Sequence, residues 1–412
     1  MTDSGPEAAG FSTFTRRLFL VGVCVPLTGT SIGIDGGEIF QILAIENLDL
    51  DPRAIGIALG LGTLSVPVQI WAARIPLERA RTNLRIFLGL LGAMALLTAG
   101  LVRFAEPGTT IAALALVVAI LAEIGVSVLF ATSWQPLLSY VLTSPQRQII
   151  NGQGRATTGV ALLVSVVLFG QLGQTGRALF LFALAVFVWW VSWLLRVLPA
   201  PEGTSAGVDA HLAKDAADES RKSAGLRNIY LALPASALAG WPLLLTYIAL
   251  VLWPAANLGL VGAALAFGGI GAAALWRDPG EHLVGVIRIG AVATAACSIA
   301  IALFAAPVTS NAAGALLLSI IVVGTAARTT MRAGIMELAH RRIDSSNAVR
   351  VMTMFDVIGS TSFQIGFFIV GFLIAASVDT TASVNPFQLW LWATAILLVV
   401  VVGRLRRRPE PA

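Results

Sequence analysis

The sequence predicts an all-α membrane protein with about twelve transmembrane helices in two six-helix bundles. Of its 412 residues, 57% are hydrophobic and 12% are charged, whereas a soluble domain carries about 25% charged residues. Apolar runs near twenty residues recur along the chain, and each is long enough to cross a hydrocarbon core of about 30 Å. Because backbone polar groups in lipid must be satisfied within their own segment, runs of this length form helices.

Candidate spans follow one another with mostly short connections. Spans 1 to 12 cover about 17–44, 54–73, 84–104, 109–140, 155–175, 178–198, 229–252, 256–276, 283–306, 311–338, 350–376 and 385–404. The longest connection is polar, mixed in charge and rich in small residues, which is typical of a flexible linker. The predicted organisation is a tail at 1–16, a first bundle at 17–198, the linker at 199–228, a second bundle at 229–404 and a basic tail at 405–412.

Basic residues are distributed unevenly between the two ends of these spans. Of the 27 Lys and Arg, only Arg53, Arg103 and Arg177 fall on the side opposite the N-terminus, while Arg328 and Arg332 lie within a span. The positive-inside rule therefore places both termini and the linker in the cytoplasm. The preference for Arg over Lys and for Ala is typical of GC-rich bacteria, so we expect a multi-pass protein of the bacterial inner membrane.

The composition also excludes several classes of function. The basic residues behind the net charge of +5 stand at helix ends, where topology explains them, so we expect no nucleic-acid partner. Cys24 and Cys297 lie in apolar segments without metal-ligand spacing, so we predict neither a metal site nor a cofactor. The chain has neither a phosphate-binding G-x-x-x-x-G-K-[ST] loop nor an ordered nucleophile–base–acid motif, so it predicts neither an ATPase nor another enzyme.

Ionisable residues inside the spans are the strongest functional signal. Each costs about 2.5–3.5 kcal/mol to insert at mid-bilayer, so each needs a reason to be there. In span 1, a polar stripe recurs at steps of three and four residues and consists of Thr28, Ser31, Asp35 and Glu38. A stripe of this kind on a continuous helix should face a water-filled pathway. A further carboxylate, Glu123, lies near the middle of span 4. The candidate proton- or substrate-binding carboxylates are therefore Asp35, Glu38 and Glu123, and we expect Asp35 and Glu123 to have this role.

A second charged group lies in spans 10 and 11. Arg328, Arg332 and Asp356 fall in the half of these spans that is predicted to be cytoplasmic, so they are predicted to pair as an inner gate or to bind an anionic group. A structural network is the alternative for these three residues. Further polar and aromatic residues are predicted to line the cavity: Thr28, Ser31, Ser127, Trp134, Gln135, Trp241, Tyr247 and Gln364.

Several motifs resemble the major facilitator superfamily over nearly the whole chain. Residues 33–62 look like the first span, outer loop and second span of that family. Residues 73–82 stand where the family has a conserved charged loop, with Arg81 matching and Leu77 in the position of the usual aspartate. The stretch Gly33-Ile34-Asp35-Gly36 and the stretch Val349-Arg350-Val351 are similar to motifs of the drug and siderophore exporter branch.

The resemblance implies a secondary transporter in which spans 1, 4, 7 and 10 line a central cavity. We therefore expect proton-coupled efflux of an amphipathic small molecule by alternating access. Two alternatives stay open at this point. One is proton-coupled uptake of a nutrient, and the other is a non-transporting assembly factor or scaffold, which the departure at Leu77 favours. The expected partners are the substrate, protons and the lipid bilayer, and no motif indicates a protein partner.

Overall fold

The computed structural model describes residues 13–32, 37–67, 80–104, 117, 121, 125, 155–197, 224–275, 280–304, 307–342, 348–379 and 385–405. Within these residues the chain is helical and contains no strand. The helices are α1 (Thr13–Ile32), α2 (Glu38–Glu46), α3 (Pro52–Gly60), α4 (Ala80–Phe104), α5 (Arg155–Gln171), α6 (Gln174–Leu194), α7 (Ala224–Leu238), α8 (Leu244–Tyr247), α9 (Leu258–Leu275), α10 (Leu283–Ala302), α11 (Asn311–Arg342), α12 (Ala348–Asp379) and α13 (Pro386–Gly403).

Six of these helices, namely α4, α6, α10, α11, α12 and α13, are long and apolar enough to cross a membrane. Shorter apolar helices occupy 157–171, 228–238 and 258–272. The predicted all-α membrane fold is confirmed, and most predicted spans match a helix to within a few residues. Span 4 lies mainly outside the described residues. Its three described positions, Val117, Leu121 and Gly125, are helical and four residues apart.

Capping residues fix where several helices begin. Asp51 accepts a hydrogen bond from Arg53 N at 2.6 Å, and Pro52 takes the first helical position of α3, where its missing N–H costs nothing. Asn385 caps α13 in the same way, through Phe387 N at 2.9 Å. These caps stand at one end of the helical bundle, which we call the Asn47 end after the turn between α2 and α3. The sequence predicts that this end faces away from the cytoplasm.

Span 1 is interrupted, contrary to the continuous helix assumed for the polar stripe. α1 ends at Ile32 and α2 begins at Glu38. Gly37 is extended, with ψ of 148°, and a Cβ on it would overlap Thr30. In an unbroken helix, residues seven apart are separated by about 10 Å along the axis. Gly37 permits this close approach because it has no side chain, and Glu38, which follows it, does not share a helix face with Thr28 and Ser31.

Span 7 is also interrupted. α7 ends at Leu238 and α8 begins at Leu244, followed by a π-helical turn at Ile248–Leu252. Between them, Trp241 and Leu243 adopt left-handed backbone angles, with φ of 56° and 57°. Residues with bulky side chains rarely occupy this region, and they do so at a cost of about 1–3 kcal/mol each. Spans 1 and 7 open the predicted first and second bundles, so the two interruptions occur at corresponding places.

Helices of the two predicted bundles meet along glycine-lined seams. α5 runs antiparallel to α9: Gly159 packs against Ile270 near one end, and a Cβ on Gly170 would lie 2.7 Å from Gly259 Cα at the Asn47 end. These small residues let the two backbones touch. The seam therefore joins the first bundle to the second along the length of α5.

α3 and α12 form the equivalent seam on the other side. A Cβ on Gly371 would lie 2.7 Å from Gly56 Cα and 2.6 Å from Pro52 O. One turn farther along, Gly60 packs against Phe368. Both seams therefore bring backbone into contact with backbone at the Asn47 end. The linker and the bundle boundaries at 17–198 and 229–404 stay predictions.

Candidate functional site

The two interrupted spans are joined by side-chain hydrogen bonds. Gln41 Oε1, in α2, accepts from Thr246 N at 3.1 Å and from Thr246 Oγ1 at 2.9 Å. Both residues are buried. The first N–H groups of a helix have no partner within that helix, and Gln41 supplies one to the segment that begins at Leu244. A single amide oxygen thus connects the short helices that follow the two interruptions.

Glu38 is the first residue of α2, next to the interruption. Its carboxylate stands at a helix N-terminus, where the backbone N–H groups favour negative charge. The side chain is half-buried, and its Cβ would lie 3.5 Å from a Cβ added to Gly262 in α9. Because Gly262 has no side chain, Glu38 approaches the second bundle closely. The candidate carboxylate therefore lies where the two bundles meet.

Arg328 approaches the interruption of span 7 from α11. Its Nη1 donates to Gly240 O, just beyond the C-terminus of α7, where a positive charge is favoured. Its guanidinium also lies 5.8 Å from the centre of the Phe363 ring, a cation–π distance. The structure thus places one cation and one carboxylate beside the two interruptions.

Trp241 locks the interruption of span 7 into the second bundle. Its indole N–H donates to Ser298 Oγ in α10 at 2.8 Å, and its ring packs against Gly324 in α11. The residue is buried, with 4% of its surface exposed. These contacts hold Trp241 in its unusual backbone conformation. Its side chain lies between α10 and α11.

The other described cavity candidates are buried. Tyr247 packs against Phe387, with ring centres 4.2 Å apart and the rings tilted by 39°, and Gln364 is 2% exposed in α12. Ser31 donates to Leu27 O at 2.8 Å, within its own helix. Thr28 Oγ1 is buried and has no hydrogen-bond partner among the described residues. Their predicted roles in lining a cavity stay predictions.

The remaining candidates divide into two groups. Arg332 is described and exposed, one turn beyond Arg328 on α11. Asp356 lies in α12, but its side chain is not among those described, so its pairing with the arginines stays a prediction. Five candidates lie outside the described residues: Asp35, Glu123, Ser127, Trp134 and Gln135.

The sequence analysis missed Gln41 and Thr246. Each is a single polar residue in an apolar run, and no spacing pattern distinguishes either of them. Their partnership depends on two residues that are 205 positions apart in the chain. The signal that could have pointed to them is the pair of breaker clusters just ahead of them, the glycines of 33–37 and the sequence Gly240-Trp241-Pro242.

A second group that the analysis missed lies at the Asn47 end. The buried Arg177, at the start of α6, forms an ion pair with Glu46 and donates to Asn47 Oδ1 and, at 3.1 Å, to Phe169 O. The sequence analysis treated Arg177 only as one of the few cations on this side. The structure shows that it fixes the C-terminal end of α2 to α5 and α6.

Comparison with known proteins gives a fold but not a family assignment. No family model and no curated protein sequence matches the chain. Among solved structures, the chain is similar to a point mutant of the nucleoside transporter NupG, with a TM-score of 0.65 and 14% identity over 95% of this chain and 98% of that one. It is also similar to a bacterial homologue of the iron transporter ferroportin in an outward-facing state, with a TM-score of 0.60 and 14% identity over 94% and 98%. The chain is therefore a multi-pass α-helical membrane protein that shares the fold of these two transporter structures.

Proposed function

We propose that this protein is a secondary transporter whose substrate binds between the interruptions of spans 1 and 7. The observation that carries this proposal is the matched pair of interruptions, joined across the bundles by Gln41 and Thr246. In transporters, discontinuous helices leave backbone N–H and C=O groups available for ligands near the bilayer midplane. Interruption of both corresponding spans is difficult to explain in a protein that only packs helices together.

Glu38 and Arg328 give the proposed site its charge. Glu38 lies at the start of α2, and Arg328 donates to the Gly240 carbonyl beyond α7. A carboxylate and a guanidinium on opposite bundles would respond to any change in the separation of those bundles. This arrangement supports a polar or zwitterionic group on the substrate, next to an apolar wall that includes Phe363.

Proton coupling is the second part of the proposal. Asp35, Glu38 and Glu123 are the candidate carboxylates, and one of them would exchange a proton with each side of the membrane in turn. Burial disfavours the charged form of a carboxylate, which is the property that a proton carrier needs. The direction proposed is export, from the resemblance of Gly33-Ile34-Asp35-Gly36 to the exporter branch.

Proteoliposomes that enclose a pH-sensitive dye test this function. The panel would contain lipophilic drugs, siderophores, sugars, nucleosides and ferrous iron, the last two because the similar structures are a nucleoside transporter and a homologue of an iron transporter. We expect one substrate class to cause proton movement across the membrane. Asp35→Asn, Glu38→Gln and Glu123→Gln should identify the proton carrier, because substrate-driven proton movement should cease when that carboxylate is neutralised.

Glu281→Gln is the matched control, because Glu281 is an exposed carboxylate in the short 3-10 turn before α10. It should transport like the wild type. Proton movement that persists in all three candidate variants would refute the proposed sites. Substrate movement without proton movement would refute the coupling but keep the transporter. A stable protein partner that co-purifies with a chain inactive toward the whole panel would instead support the scaffold.

A further inference from the structure

A groove on the outer surface of the first bundle has no role in the proposed transport pathway. It lies between the first turns of α4 and the last turns of α6, at the end of the bundle opposite Asn47, and has a volume of about 390 Å³. This volume falls within the range of about 300–1,000 Å³ that is typical of small-ligand pockets. Two arginines, Arg85 and Arg196, and two tryptophans, Trp189 and Trp193, line it.

Packing between α4 and α6 builds the floor of the groove. Trp189 lies against Gly92 and donates its indole N–H to Gly89 O at 3.0 Å. Ser192 Oγ donates to Arg85 O at 3.2 Å. These bonds fix the register of the two helices. Gly89 has no side chain, and a Cβ on it would meet nothing within 4 Å, so the groove is open above this residue.

Arg85 supplies an incompletely satisfied donor. Its Nε is buried and has no hydrogen-bond partner among the described residues. A buried N–H of a charged group that lacks a partner is costly, and such groups in native structures generally meet a water, an ion or a ligand. Arg196 is exposed at the rim of the same groove. An anion in the groove would satisfy the guanidinium of Arg85 and be attracted by that of Arg196.

The position of the groove along the helices indicates an amphipathic ligand. Arg85 lies one turn inside the apolar segment that begins at Thr82, and Arg196 lies just beyond the end of α6. Ile86 and Trp193 are 53% and 55% exposed beside them. Tryptophan and arginine at this depth are typical of the lipid headgroup region. The groove therefore offers cations at headgroup level and apolar surface directly below.

We propose that this groove binds the phosphate of an anionic glycerophospholipid, with Arg85 and Arg196 on the phosphate and the acyl chains along Ile86 and Trp193. Basic pockets at helix ends are a general means of recognising anionic headgroups. Arginine suits this role because its planar guanidinium can donate two parallel hydrogen bonds to phosphate. The proposal does not depend on the transport function.

Native mass spectrometry of the full chain tests the proposal, after reconstitution with phosphatidylglycerol or with phosphatidylcholine of the same acyl chains. We expect the wild type to retain phosphatidylglycerol in preference to phosphatidylcholine. Arg85→Gln and Arg196→Gln should each weaken this retention about fivefold, the effect expected from one basic residue near an anionic lipid surface. Gly89→Leu should also reduce it, because the new side chain fills the groove while both arginines remain.

Two matched controls lie at the opposite end of α4. A Cβ on Gly100 also meets nothing within 4 Å, so Gly100→Leu should keep wild-type lipid retention. Arg103→Gln removes a cation beside Phe104 and should do the same. Equal retention of the two lipids by the wild type, or equal losses in the groove variants and the controls, would overturn the proposal. Complete displacement of phosphatidylglycerol by millimolar inorganic phosphate would also overturn it, because the groove would then be a simple anion site.

Discussion

The glycine seams at the Asn47 end predict a shift in conformation when they are overfilled. A Cβ on Gly170 would lie 2.7 Å from Gly259 Cα, and a Cβ on Gly371 would lie 2.7 Å from Gly56 Cα. Both clashes are with backbone, so no side-chain rotation can relieve them. We therefore expect Gly170→Ala and Gly371→Ala to disfavour the conformation in which the bundles touch at this end.

The size of the shift follows from the cost of overpacking. An extra methyl group in a close-packed contact costs about 1–3 kcal/mol, and here the cost applies only while the seam is closed. If the bundles separate at the Asn47 end during transport, the equilibrium should move toward the separated state by about 5- to 150-fold. Each substitution acts on a different seam, so the double variant should shift further than either single variant.

Spin labels attached at Phe104→Cys and Leu303→Cys measure this equilibrium, because pulsed electron–electron double resonance gives the distribution of distances between the two labels. Both positions lie at the Asn47 end. Phe104 is the last residue of α4 and is 74% exposed, and Leu303 directly follows α10 and is 66% exposed. The native Cys24 and Cys297 are buried, so the labels should react mainly at the introduced sites. We expect the seam variants to add a longer distance to the wild-type distribution.

Gly100→Ala is the control for this experiment, because its Cβ meets open space on the same helix as one label. It should leave the distances unchanged. Folded variants whose distance distributions equal that of the wild type would refute the reasoning. The seams would then be permanent contacts and not surfaces that separate.

Two further comparisons of substitutions probe contacts made by the interrupted spans, by thermal unfolding in detergent. Ser298→Ala should destabilise the protein by about 1–3 kcal/mol, because it leaves the buried Trp241 N–H without an acceptor; Ser319→Ala, whose exposed hydroxyl bonds only its own helix, should have no such effect. Arg177→Gln should lower the melting temperature more than Glu46→Gln, because the arginine also donates to neighbouring backbone and amide oxygens, whereas Glu46 is 35% exposed. Equal melting temperatures within either comparison would contradict the corresponding contact.

Hydropathy and length were sufficient to predict the helical framework. The predicted span at 283–306 is observed as Leu283–Ala302, and the one at 350–376 as Ala348–Asp379. This agreement arises because insertion in lipid imposes a length of about twenty apolar residues on every span. The bilayer places a much weaker constraint on what happens inside a span.

The interruptions escaped the sequence analysis for a related reason. Spacing of three and four residues has meaning only along an unbroken helix, and the stripe from Thr28 to Glu38 was interpreted as if span 1 were continuous. Glycine and proline are both common in membrane helices, so neither the glycines of 33–37 nor Pro242 predicts a break by itself. A hydropathy average over the length of a span shows neither break, because the near-neutral glycine and tryptophan residues change that average only slightly.

In the second bundle, tertiary contacts determine the backbone conformation at the interruption of span 7. Left-handed backbone at Trp241 and Leu243 costs about 1–3 kcal/mol per residue. The conformation persists because the Trp241 ring packs against Gly324 and donates to Ser298, contacts that no local sequence pattern contains. The result is that α8 begins beside α2 and that Thr246 meets Gln41. The strained backbone at Trp241 and Leu243 thus positions span 7 against span 1. This contact between the two interrupted spans is the strongest structural reason to expect that the substrate binds between them.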